Sequence, residues 1–156
     1  MAAAVLIQPI ELPVPGIEQM RSEARNEGYR FLETLVEEWV SGENRFDGVG
    51  ETLRGHLDED ALVAVGGLNC DPFLGDPSVG RIRRLYVRPA WRNKGIGGAL
   101  LDSLLSVARQ NFCCVRLRAE SPRAARLYER KGFVRSPSTS ATHILRFDEP
   151  SQCVLL

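Results

Sequence analysis

The sequence predicts a mixed α/β fold (α+β), with strands of both directions in one sheet and helices on both of its faces. Three observations carry this. Thr52 to Leu57 and Ala61 to Leu68 flank the acidic turn Asp58-Glu59-Asp60 and read as a hairpin. A strand, a glycine loop and an amphipathic helix then follow one another between Arg81 and Arg109. A further strand and helix run from Cys113 to Gly132. Antiparallel strands followed by a strand–helix–strand unit give a mixed sheet.

Each element has its own signal. Val5 to Ile10 reads as the first strand, ended by Pro13, Pro15 and Gly16. Two helices are expected next, Ile17 to Asn26 and Tyr29 to Val40. The second sets Phe31, Leu32, Leu35, Val36, Trp39 and Val40 at helical spacing, with Glu33, Glu37 and Glu38 opposite. That apolar set is expected in the core, and Trp39 is also a candidate for lining a substrate site. Ser41-Gly42 supplies a stop. After the hairpin, Asn69 to Gly80 carries turn residues, and Arg81 to Val87 is a strand that Pro89 halts. Leu100, Leu101, Leu104, Leu105 and Ala108 form the apolar stripe of a helix from Gly97 to Arg109. Cys113 to Ala119 is a strand. Ser121-Pro122 opens a helix that Gly132 closes. Phe133-Val134 and His143 to Phe147 are the last strands, joined by the polar loop Ser136 to Thr142. Asp148 to Leu156 carries no clear signal.

Composition narrows the function classes. The chain has 156 residues, about one domain, read as a single unit over 1–156. Hydrophobic residues make up 44% and charged residues 26%, ordinary for a globular protein. No stretch approaches the roughly 20 apolar residues that span a bilayer. The short apolar run after Met1 lacks a basic lead and fits a buried strand better than a signal peptide. The cysteines are Cys70, Cys113, Cys114 and Cys153; no CxxC pair and only two histidines argue against structural zinc. Cys113 and Cys114 lie in an apolar segment and read as packing residues, so a reduced, cytoplasmic setting is the default. Lys+Arg and Asp+Glu balance at 20 each, which gives no global field for nucleic acid. Acid concentrates before Asp60 and arginine between Arg81 and Arg135. A solvated surface or a site for a polyanionic cofactor would each produce that asymmetry.

The chemistry concentrates in the segment from Val87 to Leu100. A strand there leads through Arg92-Asn93-Lys94-Gly95-Ile96-Gly97-Gly98 into a helix. Such a start leaves backbone N–H groups unpaired, adds the partial positive charge of the helix dipole, and makes an anion site. Glycines let a phosphate approach the backbone closely. The P-loop string GxxxxGK followed by Ser or Thr is missing. A dinucleotide fingerprint GxGxxG fails at Leu100, and the region where its acid should fall gives Arg116 and Arg118. A plain strand-to-helix connection remains open on the loop alone. A third pattern does match: Arg or Gln, two residues, Gly, one residue, then Gly or Ala, here Arg92 to Gly97.

With the strand Arg84-Leu-Tyr-Val-Arg-Pro89 before that loop and Ala124-x-x-Leu-Tyr128-x-x-x-Gly132-Phe133 after it, the chain resembles the GNAT N-acetyltransferase superfamily. The resemblance covers about Arg81 to Phe147 well and the first 80 residues more loosely. It implies a central mixed, mostly antiparallel sheet of about six or seven strands with a splayed central strand pair. It implies acetyl-CoA as co-substrate, no metal, and transfer of the acetyl group to a primary amine of an unidentified small molecule or protein.

The same resemblance assigns residues. Backbone of Leu85, Tyr86 and Val87 would pair with the pantetheine arm. The amides of Arg92, Asn93, Lys94, Gly95, Ile96, Gly97 and Gly98 would hold the pyrophosphate, and Ser121 stands where the family often has asparagine. The Val87 N–H would hold the oxyanion, and Tyr128 would protonate the leaving thiolate. A core tyrosine packed beside Leu127 and Phe133 would give the same local sequence. Many members carry a glutamate base early in the strand before the loop, but Arg81-Ile-Arg-Arg84 has no acid. Candidates elsewhere are Glu51, His56, Asp71, Glu120 and His143, besides bulk water. The missing glutamate also motivates an alternative, an acyl-CoA-binding sensor with little catalysis. The early helices, the loop Asn69 to Gly80 and the loop before His143 would shape the acceptor pocket. Glu33, Glu37, Glu38 and Glu51 would attract a cation there or simply form a solvated face. The partners expected are a small-molecule or peptide amine, neither nucleic acid nor membrane, and, as the family allows, a homodimer.

Overall fold

Ile17, Met20 and Ala24 recur on one stripe of helix α1 (Ile17–Asn26), and Leu32 and Leu35 do so on α2 (Phe31–Ser41); all five are buried. Both helices lie on one face of a seven-stranded sheet and share a core cluster with Leu53, Leu62, Val65 and Tyr86. The other face is covered by α3 (Ile96–Asn111) and α4 (Pro122–Arg130). The apolar stripe of α3 is wholly inside, against Ala64, Leu68, Ile82, Val115 and Leu117. Burying each such leucine contributes roughly 1.5–3 kcal/mol. These relations are seen in a computed structural model that describes residues 5–147.

The strands are β1 (Gln8–Pro9), β2 (Thr52–Asp58), β3 (Ala61–Cys70), β4 (Val79–Val87), β5 (Cys114–Leu117), β6 (Val134–Arg135) and β7 (His143–Arg146). Their order across the sheet is β1-β2-β3-β4-β5-β7-β6, and only the β4–β5 pair is parallel. That pair needs a crossover, and α3 provides it. The first strand is shorter than Val5 to Ile10: ladder pairing covers Gln8 and Pro9 alone. Pro9 has no N–H to donate, which suits only an edge position.

Two features of β4 shape the site. It pairs with β5 through Val79↔Cys114, Gly80↔Val115 and Arg81↔Arg116, and no further. Beyond that register the strands part, which is why β5 ends at Leu117 rather than Ala119. The last register is held by a buried cluster. Asp71, 2% exposed, lies 3.3 Å from Arg81 Nη1 and 3.5 Å from Arg116 Nη1. Second, β4 carries a bulge. Val65 faces Tyr86 and Gly67 faces Arg83, so Gly66 alone opposes Arg84 and Leu85. Arg84 takes the left-handed conformation, φ 60°. Ile82, Leu85 and Val87 therefore contact the α3 side, while Arg84 and Tyr86 meet the α1–α2 side.

One cysteine reading is corrected. Cys113 is buried, as expected of a packing residue, but it is disulfide-bonded and not a reduced thiol. Cys70 and Cys114 are free thiols, and Cys153 lies outside the described residues. Among the described residues no helix is long and apolar enough to cross a membrane.

Candidate active site

The junction after β4 is built from short-range chemistry. Pro89 stops the ladder and a 3-10 turn, Pro89–Trp91, reverses the chain. Asn93 (φ 63°) and Gly95 (φ 82°) take left-handed conformations, and Gly95 caps α3 without any side-chain acceptor. Ala99 N–H closes the first helical bond on Gly95 O at 3.0 Å, so Ile96, Gly97 and Gly98 keep amides with no intrahelical acceptor. About half a unit of positive charge gathers at such an end. The Arg92 amide, by contrast, already donates to Pro89 O at 3.3 Å.

These amides border a cleft of about 250 Å3 that occupies the gap where β4 and β5 part. Leu85, Tyr86 and Val87 form one wall. Arg92, Asn93 and Gly95 to Gly98 form the base, and Ser121 and Tyr128 the far side. Lys94 is exposed and does not border the cleft. Ser121 accepts the Ala124 N–H at 3.1 Å, the helix cap its sequence position suggests. A Cβ added at Gly97 would lie 3.5 Å from Leu127 Cδ2 and 3.6 Å from Val87 Cγ2, so the cleft is narrow here. The Arg88 N–H bonds Val63 O at 2.9 Å, on the β3 side. Strand N–H groups alternate sides, which turns the Val87 N–H toward the cleft.

Arg92 does not aim its charge into the cleft. Its Nη1 and Nη2 donate to Glu27 at 2.7 Å each, and its Nε donates to Val87 O at 2.8 Å. The Tyr86 hydroxyl also donates to Glu27. Glu27 is held below the usual carboxylate range, first by the Arg92 hydrogen bonds. Burial, then the Glu27 contact, pushes the Tyr86 phenol up. This network ties the chain after α1 to the glycine loop. Glu27 gives no sequence signal, since it sits at a helix end among other charges.

Tyr128 is 5% exposed, packs edge-on against Phe133 at 5.7 Å, and its hydroxyl has no hydrogen-bond partner among the described residues. Burial, and then the charge of Glu120, push its pKa up, so the phenol stays protonated at neutral pH. Tyr128 also borders a second cavity of about 190 Å3, which shares Phe31, Leu85 and Glu120 with the first.

The base candidates separate cleanly. His143 is 1% exposed, with Nε2 2.8 Å from Glu129 Oε2 and Nδ1 2.8 Å from Thr142 Oγ1; it borders neither cavity. Asp71 is committed to Arg81 and Arg116. Glu51 accepts the Cys70 and Gly48 amides at 2.9 and 3.1 Å, and His56 Nδ1 meets Leu6 O at 2.8 Å. Of the five, Glu120 alone borders the cavities, and it is exposed. Trp39 packs among the α1–α2 core and lines neither. Phe31, read from sequence as core, lines both; its place at the start of α2 was no clue to that. The β4 arginines Arg81, Arg83 and Arg84 line the second cavity, which their place in a strand did not signal.

A sheet with a splayed parallel pair and a helix start that lacks a side-chain cap leaves a gap, and free amides facing it, of the kind that suits an anionic, chain-like group. The chain belongs to the GNAT acetyltransferase family: the model of the acetyltransferase (GNAT) domain matches residues 56–135, just over half of it. Among solved structures it is similar to a candidate acetyltransferase from Exiguobacterium sp. 255-15, at 26% identity and TM-score 0.82, over 92% of this chain and 94% of that one. It is similar in fold to Ard1 from Thermoplasma volcanium, at 21% identity and TM-score 0.69, over 94% of this chain and 100% of that one. It is also similar in fold to a GNAT family acetyltransferase from Elizabethkingia anophelis with acetyl-CoA bound, at 14% identity and TM-score 0.62, over 92% and 98% of the two chains. No curated protein matches the chain significantly.

Proposed function

We propose that this protein is an N-acetyltransferase that takes acetyl-CoA in the cleft between β4 and β5 and passes the acetyl group to a primary amine. The observation that carries the reading is the meeting of three features on one cleft. These are the free amides of Ile96 to Gly98, the inward Val87 N–H and the hydroxyl of Tyr128, unpartnered among the described residues. The residues present fit the ligand, since the cradle at Gly97 is one that a Cβ would fill.

Each group has a task. The amides of the α3 start hold the pyrophosphate. Val87 N–H donates to the thioester carbonyl oxygen and then to the oxyanion that replaces it. The neutral amine adds to the thioester carbon to form the new C–N bond, and the C–S bond breaks as the oxyanion returns to a carbonyl. Tyr128 gives its proton to the departing sulfur. The excess proton of the attacking nitrogen leaves through water, with Glu120 at the shared mouth as its acceptor. Arg92, gripping Val87 O, fixes the peptide that carries the oxyanion donor.

Calorimetry with acetyl-CoA and with NADH tests the first half, and thiol release in an amine screen tests the second. Micromolar acetyl-CoA binding without NADH binding, followed by amine-dependent thiol release, is expected. Absence of acetyl-CoA binding would sink the reading. The sensor alternative predicts binding with no thiol release from any amine.

A further inference from the structure

The second cavity has an unusual wall. Phe31, Leu85, Glu120 and Tyr128 join it to the cleft, but four arginines make up much of the rest: Arg81, Arg83, Arg84 and Arg118. Three of them sit on β4, where the bulge at Arg84 places Arg84 beside the α2 glutamate Glu38.

Acceptors fall short of donors here. Arg81 has Asp71 at 3.3 Å and donates to Ser140 O at 2.6 Å, but Arg116 shares that same aspartate. Arg84 Nη2 donates to Glu38 at 3.2 Å, while its Nε is buried with no acceptor. Arg118 donates to the Thr139 carbonyl at 2.8 Å, which offsets no charge. Arg83 is half-buried and makes no hydrogen bond or ion pair among the described residues. Burial, then the charge of Arg84, push its pKa down. Glu120 is the one acid on this wall among the described residues, and it is exposed.

Glu38 and Asp71 act on Arg83 only from a distance, and a half-buried guanidinium with no ion-pair or hydrogen-bond partner disfavours the folded chain. It is tolerated where a ligand completes it. A guanidinium presents parallel N–H donors that match a carboxylate. On the reading that acetyl-CoA fills the first cleft, we propose that the second cavity is the acceptor site and selects an amine that also carries a carboxylate, held by Arg83 with Arg118 on the same wall. The amine then faces Tyr128 and Glu120, where the two cavities join. Phe73, 58% exposed, stacks on Arg81 at 4.7 Å and offers the far end an apolar contact. A polyamine or other cationic acceptor would meet repulsion from this wall.

The test uses the full chain with saturating acetyl-CoA. β-Alanine, 4-aminobutyrate, leucine and phenylalanine are each compared with their carboxamides by thiol release. The acids are expected to exceed their amides at least tenfold in kcat/KM. Arg83→Gln is expected to abolish that preference through KM, leave the amides unchanged, and leave acetyl-CoA affinity unchanged by calorimetry. Arg83→Lys is expected to restore part of it. Thermal melting of Arg83→Gln should match or exceed the parent, because an uncompensated charge has gone. If no amine turns over, the same compounds are titrated into the CoA-loaded protein, and an acid must bind better than its amide. Amides or polyamines used as well as acids, or Arg83→Gln affecting both alike, would overturn the acceptor assignment while leaving the acetyltransferase reading intact. Failure of acetyl-CoA to bind the parent protein would instead remove the reading beneath it.

Discussion

Gly97→Ala separates stability from ligand binding at the start of α3. Gly97 is the second residue of the helix and has no left-handed requirement, unlike Gly95. Alanine there gains helix propensity and restricts the unfolded chain, together about 0.5–1 kcal/mol. The new methyl meets Leu127 Cδ2 at 3.5 Å and Val87 Cγ2 at 3.6 Å, ordinary van der Waals contacts that strain nothing. In a protein of this size such a gain raises Tm by roughly 1–4 °C. Binding moves the other way. A helical Cα–Cβ bond tilts toward the N-terminus, the side from which an anion reaches the amides. The methyl stands where the phosphate oxygens must approach, and a loss of at least ~10-fold in acetyl-CoA affinity, about 1.4 kcal/mol, is expected. Differential scanning fluorimetry reads the first effect and calorimetry the second. Raised Tm with unchanged affinity would refute the seating of the pyrophosphate on these amides. Lowered Tm would refute the geometry of the helix start.

Further outcomes follow from neighbouring contacts. Glu27→Gln leaves the half-buried Arg92 guanidinium without its charge partner and should cost about 1 kcal/mol after allowance for solvent screening. Because Glu27 is held below its ordinary value, its contribution is present above the unfolded carboxylate range and lost as pH falls through the folded value. The Tm gap between parent and variant should therefore narrow on acidification below about pH 5; a gap constant with pH would refute the linkage. Tyr128→Phe should lower turnover about 100-fold or more, with acetyl-CoA affinity and Tm near the parent values; unchanged turnover would mean that the thiolate is protonated elsewhere. Gly67→Ala would set a Cβ 2.3 Å from Phe46 Cε1, in a ring 4% exposed, and should cost about 2–3 kcal/mol by chemical denaturation; a neutral result would show that Phe46 repacks freely.

Where one local rule decided an element, the sequence was readable. The first helix spans Ile17–Asn26 in both reading and structure, because periodicity and the preceding Pro15-Gly16 agree. The Ser121-Pro122 start behaved the same way. The glycine loop was legible because its chemistry is local: unpaired amides and small residues lie within one turn. What stayed hidden depends on distant partners. Nothing near Arg92 in sequence announces that Glu27, 65 positions earlier, takes its guanidinium. His143 was a base candidate, yet β7 places it beside β5 and against Glu129, away from both cavities. Glu120 was one of five base candidates until the fold put the other four in structural bonds or out of reach.

The arginines of β4 were the clue that propensity could not interpret. The central strand of a sheet covered on both faces should read as nearly continuous apolar residues, and Arg81-Ile-Arg-Arg84 does not. The bulge resolves the conflict with one backbone irregularity. It keeps Ile82, Leu85 and Val87 on the α3 side, where they complete the core and the ligand wall. It places Arg84 on the α2 side, where Glu38 meets it. A regular strand would alternate without interruption and would reverse the faces of everything after Arg83, putting Val87 and Tyr86 on the wrong sides. The same left-handed residue therefore serves the cleft, through the inward Val87 N–H, and the arginine cavity beside it. Straightening β4 would damage both sites together, whereas Gly97→Ala touches only the cleft and Arg83→Gln only the arginine cavity.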